Sequence, residues 1–248
     1  MELMPFYRLT ISLTFVLACF LNLQARTFVV CVGVKDYKGT KMDLRVSDND
    51  AKVIEKVFSA AGASTTLLVD ASANQKQVKA ALERVFSQAN ADDAVIFFFS
   101  GHGLPGGLVC SDGKCITYQM IYNALGKCRA KHKMIFADAC FSGKIRKGKQ
   151  HSYNHSNQDV MMFLSSRTDE MSLETPYKNS LFTIYLERGL RGGADTNKDR
   201  TITAKELYDF VHSGVVEAST QIGYKQHPTM WGNFDADMPV IIWFQKEK

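Results

Sequence analysis

The sequence predicts an α/β domain built on a mostly parallel central sheet with helices on both faces. Three observations carry this. The runs "TFVVCVGV" (27–34), "DAVIFFF" (93–99), "KMIFADA" (133–139) and "VMMFLSS" (160–166) are almost wholly apolar rather than alternating. Strands covered on both faces have that character. The segments between the strand runs include amphipathic stretches at helical spacing. Apolar strands that alternate with such helices imply parallel pairing through crossovers.

The elements follow in order. The run 27–34 reads as the first strand. "DNDAKVIEKVFSAAG" (48–62) has acids at its start and Gly62 at its end, so it reads as a helix. "TTLLV" (65–69) is a second strand, and 74–89 a helix with Val78, Leu82, Val85 and Phe86 on one face. The strand 93–99 leads into a turn-rich hairpin around "SDGK", flanked by Cys110 and Cys115. A helix over 118–128 and strands over 133–139 and 160–166 come next. Helices over 180–192 and 204–219 complete the pattern. The polar, charged stretch 144–158 reads as an exposed loop. Tyr118, Tyr122, Phe182, Tyr185, Tyr208 and Phe210 fall on helix or core positions. His151, His155, His212 and His227 have no partner pattern.

A chain of 248 residues suffices for one large domain with a substantial core. Hydrophobic residues make up 46% and charged residues 22%, which excludes disorder as the main state. The net charge of +5 is too small and too dispersed to point to nucleic acid as a partner.

The amino terminus departs from the rest. Arg8 precedes an uncharged apolar run, "LTISLTFVLACFL", then "NLQA" and Arg26. This reads as a secretory signal peptide over residues 1–25, removed after Ala25, with the folded domain over 26–248. The implied location is exported, secreted or periplasmic. A membrane becomes a partner only if the segment is retained as an anchor or Cys19, in "VLAC", is lipidated. Export would permit a disulfide between Cys110 and Cys115.

The chemistry lies at two strand ends. "FFFSGHG" (97–103) runs from an apolar strand into His102, and "MIFADACFSG" (134–143) runs into Asp138 and Cys140. Residues two apart on an extended strand share a side, which pairs Ser100 with His102 and Asp138 with Cys140. Neighbouring strands would bring all four to one cleft beyond their carboxyl ends. A thiol with a nearby imidazole is the pair a cysteine peptidase needs. Backbone N–H groups at Gly103 and Cys140 are candidates for the oxyanion hole.

These two motifs, in this order, resemble the caspase-like cysteine peptidases, most closely metacaspases and their bacterial relatives. The resemblance runs from "TFVVCVGVKDY" to "QHPTMWG". It implies a caspase-like three-layer sandwich, His102 as catalytic histidine and Cys140 as nucleophile. It also implies a pocket for a basic side chain. Caspases that cut after Asp carry Gln two residues before the cysteine, where this chain has Asp138. The segment "SDNDA" (47–51) matches the family's other pocket motif and places Asp50 in the pocket, with Ser47 and Ser100 beside it. Carboxylates in a desolvated cleft attract a guanidinium or ammonium group and repel a substrate carboxylate. Asp50 also suits a helix N-terminus, where the macrodipole favours acids.

The expected function is therefore a cysteine endopeptidase that cuts after Arg or Lys, with protein or peptide substrates as partners. The alternative is a catalytically inactive scaffold of the same fold. A nucleotide-binding reading requires a Gly-rich loop after the first strand, and "GVKDYKGTKMD" (33–43) does not fit one. The basic loop "KIRKGK" (144–149) is a candidate for self-cleavage. No cofactor is required, and Ca2+ has one candidate site. Asp195, Asn197, Asp199, Thr201 and Glu206 occupy positions 1, 3, 5, 7 and 12 of an EF-hand pattern. Arg200 stands where that loop needs glycine. Read without metal, Thr203 caps the following helix in a capping box with Glu206.

Overall fold

The computed structural model describes residues 25–39, 41–139, 160–167, 170–176 and 178–243. Its centre is a six-stranded sheet. The strands are β1 (Thr27–Gly33), β2 (Ser64–Val69), β3 (Ala94–Ser100), β7 (His132–Asp138), β8 (Val160–Leu164) and β10 (Thr229–Gly232). They lie in the order β10-β8-β7-β3-β1-β2. All neighbouring pairs are parallel except β10, which runs antiparallel to β8 at one edge. The mostly parallel α/β sheet expected from the sequence is present.

Side chains alternate across the sheet, and each face has its own core. Phe97 and Phe99 point to one side, with α2 (Gln75–Phe86) and α3 (Tyr118–Lys127). Phe98 and Phe136 point to the other, with α1 (Ser47–Ala60), α4 (Leu181–Arg188) and α5 (Ala204–Gln221). The run of three phenylalanines thus serves two cores at once. That is why it shows no polar alternation. The expected strands and helices all appear, with ends shifted by one to a few residues. The largest shift is at 180–192, where α4 stops at Arg188 and a π-helical turn, Gly189–Gly193, continues.

Two small sheets complete the fold. The hairpin region forms β4 (Gly103–Leu104), β5 (Gly107–Val109) and β6 (Cys115–Thr117). Across the molecule, β9 (Thr201–Thr203) pairs with β11 (Pro239–Ile242). Cys110 and Cys115 are free thiols, so the bridge that export would permit is not formed. Burial pushes the Cys110 thiol up to about 12 and raises that of Cys115 as well.

One close approach sets the position of α1. A Cβ on Gly33 would meet the Ser47 carbonyl oxygen at 2.3 Å and the Ala51 methyl at 2.8 Å. Only glycine lets the start of α1 sit against the end of β1. That contact carries Asp50 to the mouth of the sheet.

Candidate active site

The register of the strands builds the site. Ser100 of β3 pairs with Asp138 of β7, and with Gly33 of β1 on its other side. Gly101 N–H donates to the Asp138 carbonyl at 3.1 Å, and Val34 N–H to the Ser100 carbonyl at 3.0 Å. The segments that carry His102 and Cys140 therefore leave the sheet from adjacent strands at the same edge. Cys140 itself, like the loop 144–149, lies outside the described residues. Ala139, just before it, is buried and donates its N–H to Ser165 Oγ at 3.2 Å.

His102 is half-buried and held at three points. Its Nε2 lies 2.7 Å from the Met42 carbonyl oxygen. A carbonyl only accepts, so Nε2 carries the hydrogen and the neutral ring keeps Nδ1 as its acceptor. The His102 backbone N–H donates to the Tyr37 hydroxyl at 2.7 Å. The Tyr37 ring also packs on the imidazole, with centroids 4.9 Å apart. Burial raises the Tyr37 hydroxyl well above the usual tyrosine range, so it stays neutral. A Cβ on Gly101 would lie 2.7 Å from that hydroxyl, so glycine before the histidine makes room for its support. Gly103 opens β4, is buried, and pairs with Leu108.

Ser100, two residues before this histidine, touches one of a pair of buried carboxylates. Asp50, in the first turn of α1, is 0% exposed, and Asp138 is 4% exposed. Asp50 Oδ2 accepts from Ser100 Oγ at 2.8 Å. Its Oδ1 accepts from Asn179 Nδ2 at 2.9 Å and from Ser180 N–H at 3.0 Å. The Ser172 hydroxyl donates to Asp138 Oδ1. The Ser180 hydroxyl and the Thr183 hydroxyl, the latter at 2.8 Å, donate to Oδ2. Desolvation, with the Asp138 charge second, pushes Asp50 up to about 7. Desolvation also raises Asp138, against the pull of its hydroxyl donors. Two acids this close cannot both ionise freely, and an incoming cation would relieve both. Ser47 is buried at the start of α1, one turn before Asp50.

The expected residues Asp50, Ser100 and Asp138 are thus brought together, with His102 on the next turn of chain. Sequence reasoning missed Tyr37, Met42, Ser172, Asn179, Ser180 and Thr183. Met42 contributes only a backbone carbonyl, which no residue type announces. Ser180 is the N-cap of α4, and its Oγ accepts from Thr183 N–H at 3.4 Å. Nothing local shows that the same hydroxyl reaches a carboxylate on β7.

The acidic loop behaves as a self-contained turn. Arg200 N–H donates to Asp195 Oδ2 at 3.0 Å, Asp199 N–H to Asn197 Oδ1 at 3.0 Å, and Thr201 N–H to Asp199 Oδ1 at 2.7 Å. Arg200 adopts φ 70°, the conformation glycine would supply more easily. Thr203 and Glu206 form the expected capping box. Among the described residues, no group of three or more His, Cys, Asp or Glu side chains is arranged to hold a metal ion. His227, which has no partner in sequence pattern, has one in space: its Nδ1 lies 2.6 Å from Glu170 Oε1. A cleft of about 560 Å³ lies at the opposite end of the sheet, lined by Arg26, Phe58, Pro239 and Ile241 among others. It carries neither strand-end motif. No helix among the described residues is long and apolar enough to cross a membrane.

A parallel sheet with an imidazole and a carboxylate pair at its carboxyl edge defines a ligand site of the α/β type. The caspase domain model matches residues 26–238, so the chain belongs to the caspase-domain family of cysteine peptidases. Caspase-1 from Spodoptera frugiperda is similar in fold, with TM-score 0.65 at 16% identity, over 90% of this chain and 92% of that one. The structure titled pro-sf-caspase-1 matches with TM-score 0.61 at 16% identity, over 87% and 94%. A Geobacter sulfurreducens protein solved as a structural genomics target matches with TM-score 0.63 at 15% identity, over 88% and 100%. No curated protein matches the chain in sequence.

Proposed function

We propose that the protein is a cysteine endopeptidase that cuts peptide bonds after Arg or Lys, as metacaspase-like enzymes do. The observation that carries the reading is the buried Asp50–Asp138 pair at the strand edge from which the chain continues to Cys140. A desolvated pair of acids with raised pKa values favours a guanidinium or ammonium group and rejects a carboxylate.

In this reading the Cys140 thiolate attacks the carbonyl carbon of the scissile amide, and a sulfur–carbon bond forms. The carbonyl electron pair moves to oxygen, where the Gly103 and Cys140 amides would stabilise it. The C–N bond then breaks as protonated His102 gives its proton to the leaving amine. The imidazole, again neutral with its Nδ1 as acceptor, next takes a proton from water. The water attacks the thioester, and the sulfur leaves. The Met42 carbonyl supports this role because it fixes the ring's tautomer. No cofactor enters these steps.

The test is a panel of peptide reporters with Arg, Lys, Asp or Gln before the cut. Wild type is expected to turn over the Arg and Lys reporters alone, and Cys140→Ala none. Turnover of Asp reporters but not basic ones would overturn the pocket assignment.

A further inference from the structure

Every oxygen of the two pocket carboxylates already has a donor from this chain. Asp50 takes Ser100, Asn179 and the Ser180 amide, and Asp138 takes Ser172, Ser180 and Thr183. At 0% and 4% exposure, neither acid is open to solvent. A guanidinium or ammonium group brings donors and no acceptor. Each carboxylate oxygen can take a second donor, so burial is the barrier, and the cation reaches the pair only where part of the chain that covers it moves aside.

The donors differ in what holds them. Ser100 ends β3 inside the sheet, between Gly33 and Asp138. Ser180 caps α4 and Thr183 lies in its first turn, so moving either would disturb the helix start. Ser172 belongs to no helix or strand. It follows Met171, which is 67% exposed, so the chain at this point lies at the surface. A side chain from beyond α5 reaches it. Gln226, fully buried, donates from Nε2 to the Ser165 carbonyl at 3.0 Å and to Ser172 Oγ at 3.4 Å. Its Oε1 accepts from Leu173 N–H at 3.1 Å.

We propose that Ser172 is the removable plug of the basic pocket: its hydroxyl holds Asp138 Oδ1 until the substrate's basic side chain takes that place, and Gln226 positions it. The inference rests on the reading of Asp50 and Asp138 as the pocket for that side chain. Ser180 has the opposite role. Its amide and hydroxyl touch both acids, and it fixes the pair that the cation must bridge.

Two substitutions separate these roles. Ser172→Ala removes a competitor, so KM for an Arg reporter is expected to fall about five- to tenfold, at a pH well above 7, where Asp50 is ionised. Ser180→Ala removes a support and is expected to raise KM. Binding of p-aminobenzamidine to the same variants in a Cys140→Ala background gives a readout independent of turnover. It is expected to tighten for Ser172→Ala and weaken for Ser180→Ala. If wild type cuts Arg reporters and Ser172→Ala leaves KM and binding unchanged or weaker, the plug is refuted and the pocket stands. If wild type neither cuts basic reporters nor binds the amidine, the pocket reading has failed, and the plug with it.

Discussion

Replacing Tyr37 by Phe tests how His102 is held. The ring remains, so the packing on the imidazole is kept, and one oxygen is lost. That oxygen accepts the His102 backbone N–H at 2.7 Å, in a residue only 6% exposed. An N–H left there without a partner costs about 1–3 kcal/mol. For a domain of this size each kcal/mol lowers the melting temperature by about 2–4 °C, so a fall of roughly 2–12 °C is expected. The activity effect is directional. Tyr37 touches no carboxylate of the pocket, so KM for an Arg reporter should stay within about twofold. The turnover number should fall about tenfold, because displacement of the imidazole by a fraction of an ångström disturbs proton transfer. Thermal melts and steady-state kinetics on the one variant supply both numbers. An unchanged kcat with a lowered melting temperature would show that the tyrosine supports the fold and not the histidine. An unchanged melting temperature would show that the hydroxyl contributes nothing.

Three further outcomes follow from the same geometry. Asp50 ionises at about 7 rather than near 3.8, so KM for Arg and Lys reporters should fall as pH rises through 7, and Asp50→Asn should abolish that step. The sign for stability is the reverse. Between 3.8 and about 7 the folded chain binds more protons at Asp50 than the unfolded chain does, so its burial costs more as pH rises across that window. Asp50→Asn should therefore gain stability relative to wild type at pH 8 compared with pH 5, and chemical denaturation at the two pH values measures it. Gly33→Ala places a methyl 2.3 Å from the backbone oxygen of Ser47. It should destabilise the domain by several kcal/mol and raise KM by shifting Asp50. A variant with wild-type melting and KM would show that α1 is free to slide.

How much of this was legible in the sequence depends on the range over which each feature is encoded. The strand around Phe97–Phe99 needed no tertiary information. A run buried on both faces is apolar at every position, whatever the neighbouring strands are. The Thr203–Glu206 capping box is equally local, because both partners lie within one turn of chain. The edge strand β10 and the β9–β11 pair were not legible. They are short, only half-buried in part, and exist because of partners far away in the chain.

The site divides in the same way. His102 and Asp138 stood out because small residues and strand ends surround them, and Asp50 because "SDNDA" resembles the family's pocket motif. Ser172, Ser180 and Gln226 did not, because a serine or glutamine looks like any polar residue until its partner is known. By itself the sequence determined the five parallel strands of the sheet, the helices, and the strand ends that lead to His102 and Asp138. These follow from side-chain period and burial, which are set within a few residues. Only the tertiary structure decided which hydroxyls meet the two acids, which carbonyl fixes the imidazole, and which tyrosine lies beneath it. Those contacts join residues far apart in the chain, and a hydrogen bond between them depends on positions accurate to tenths of an ångström that only the packed domain defines.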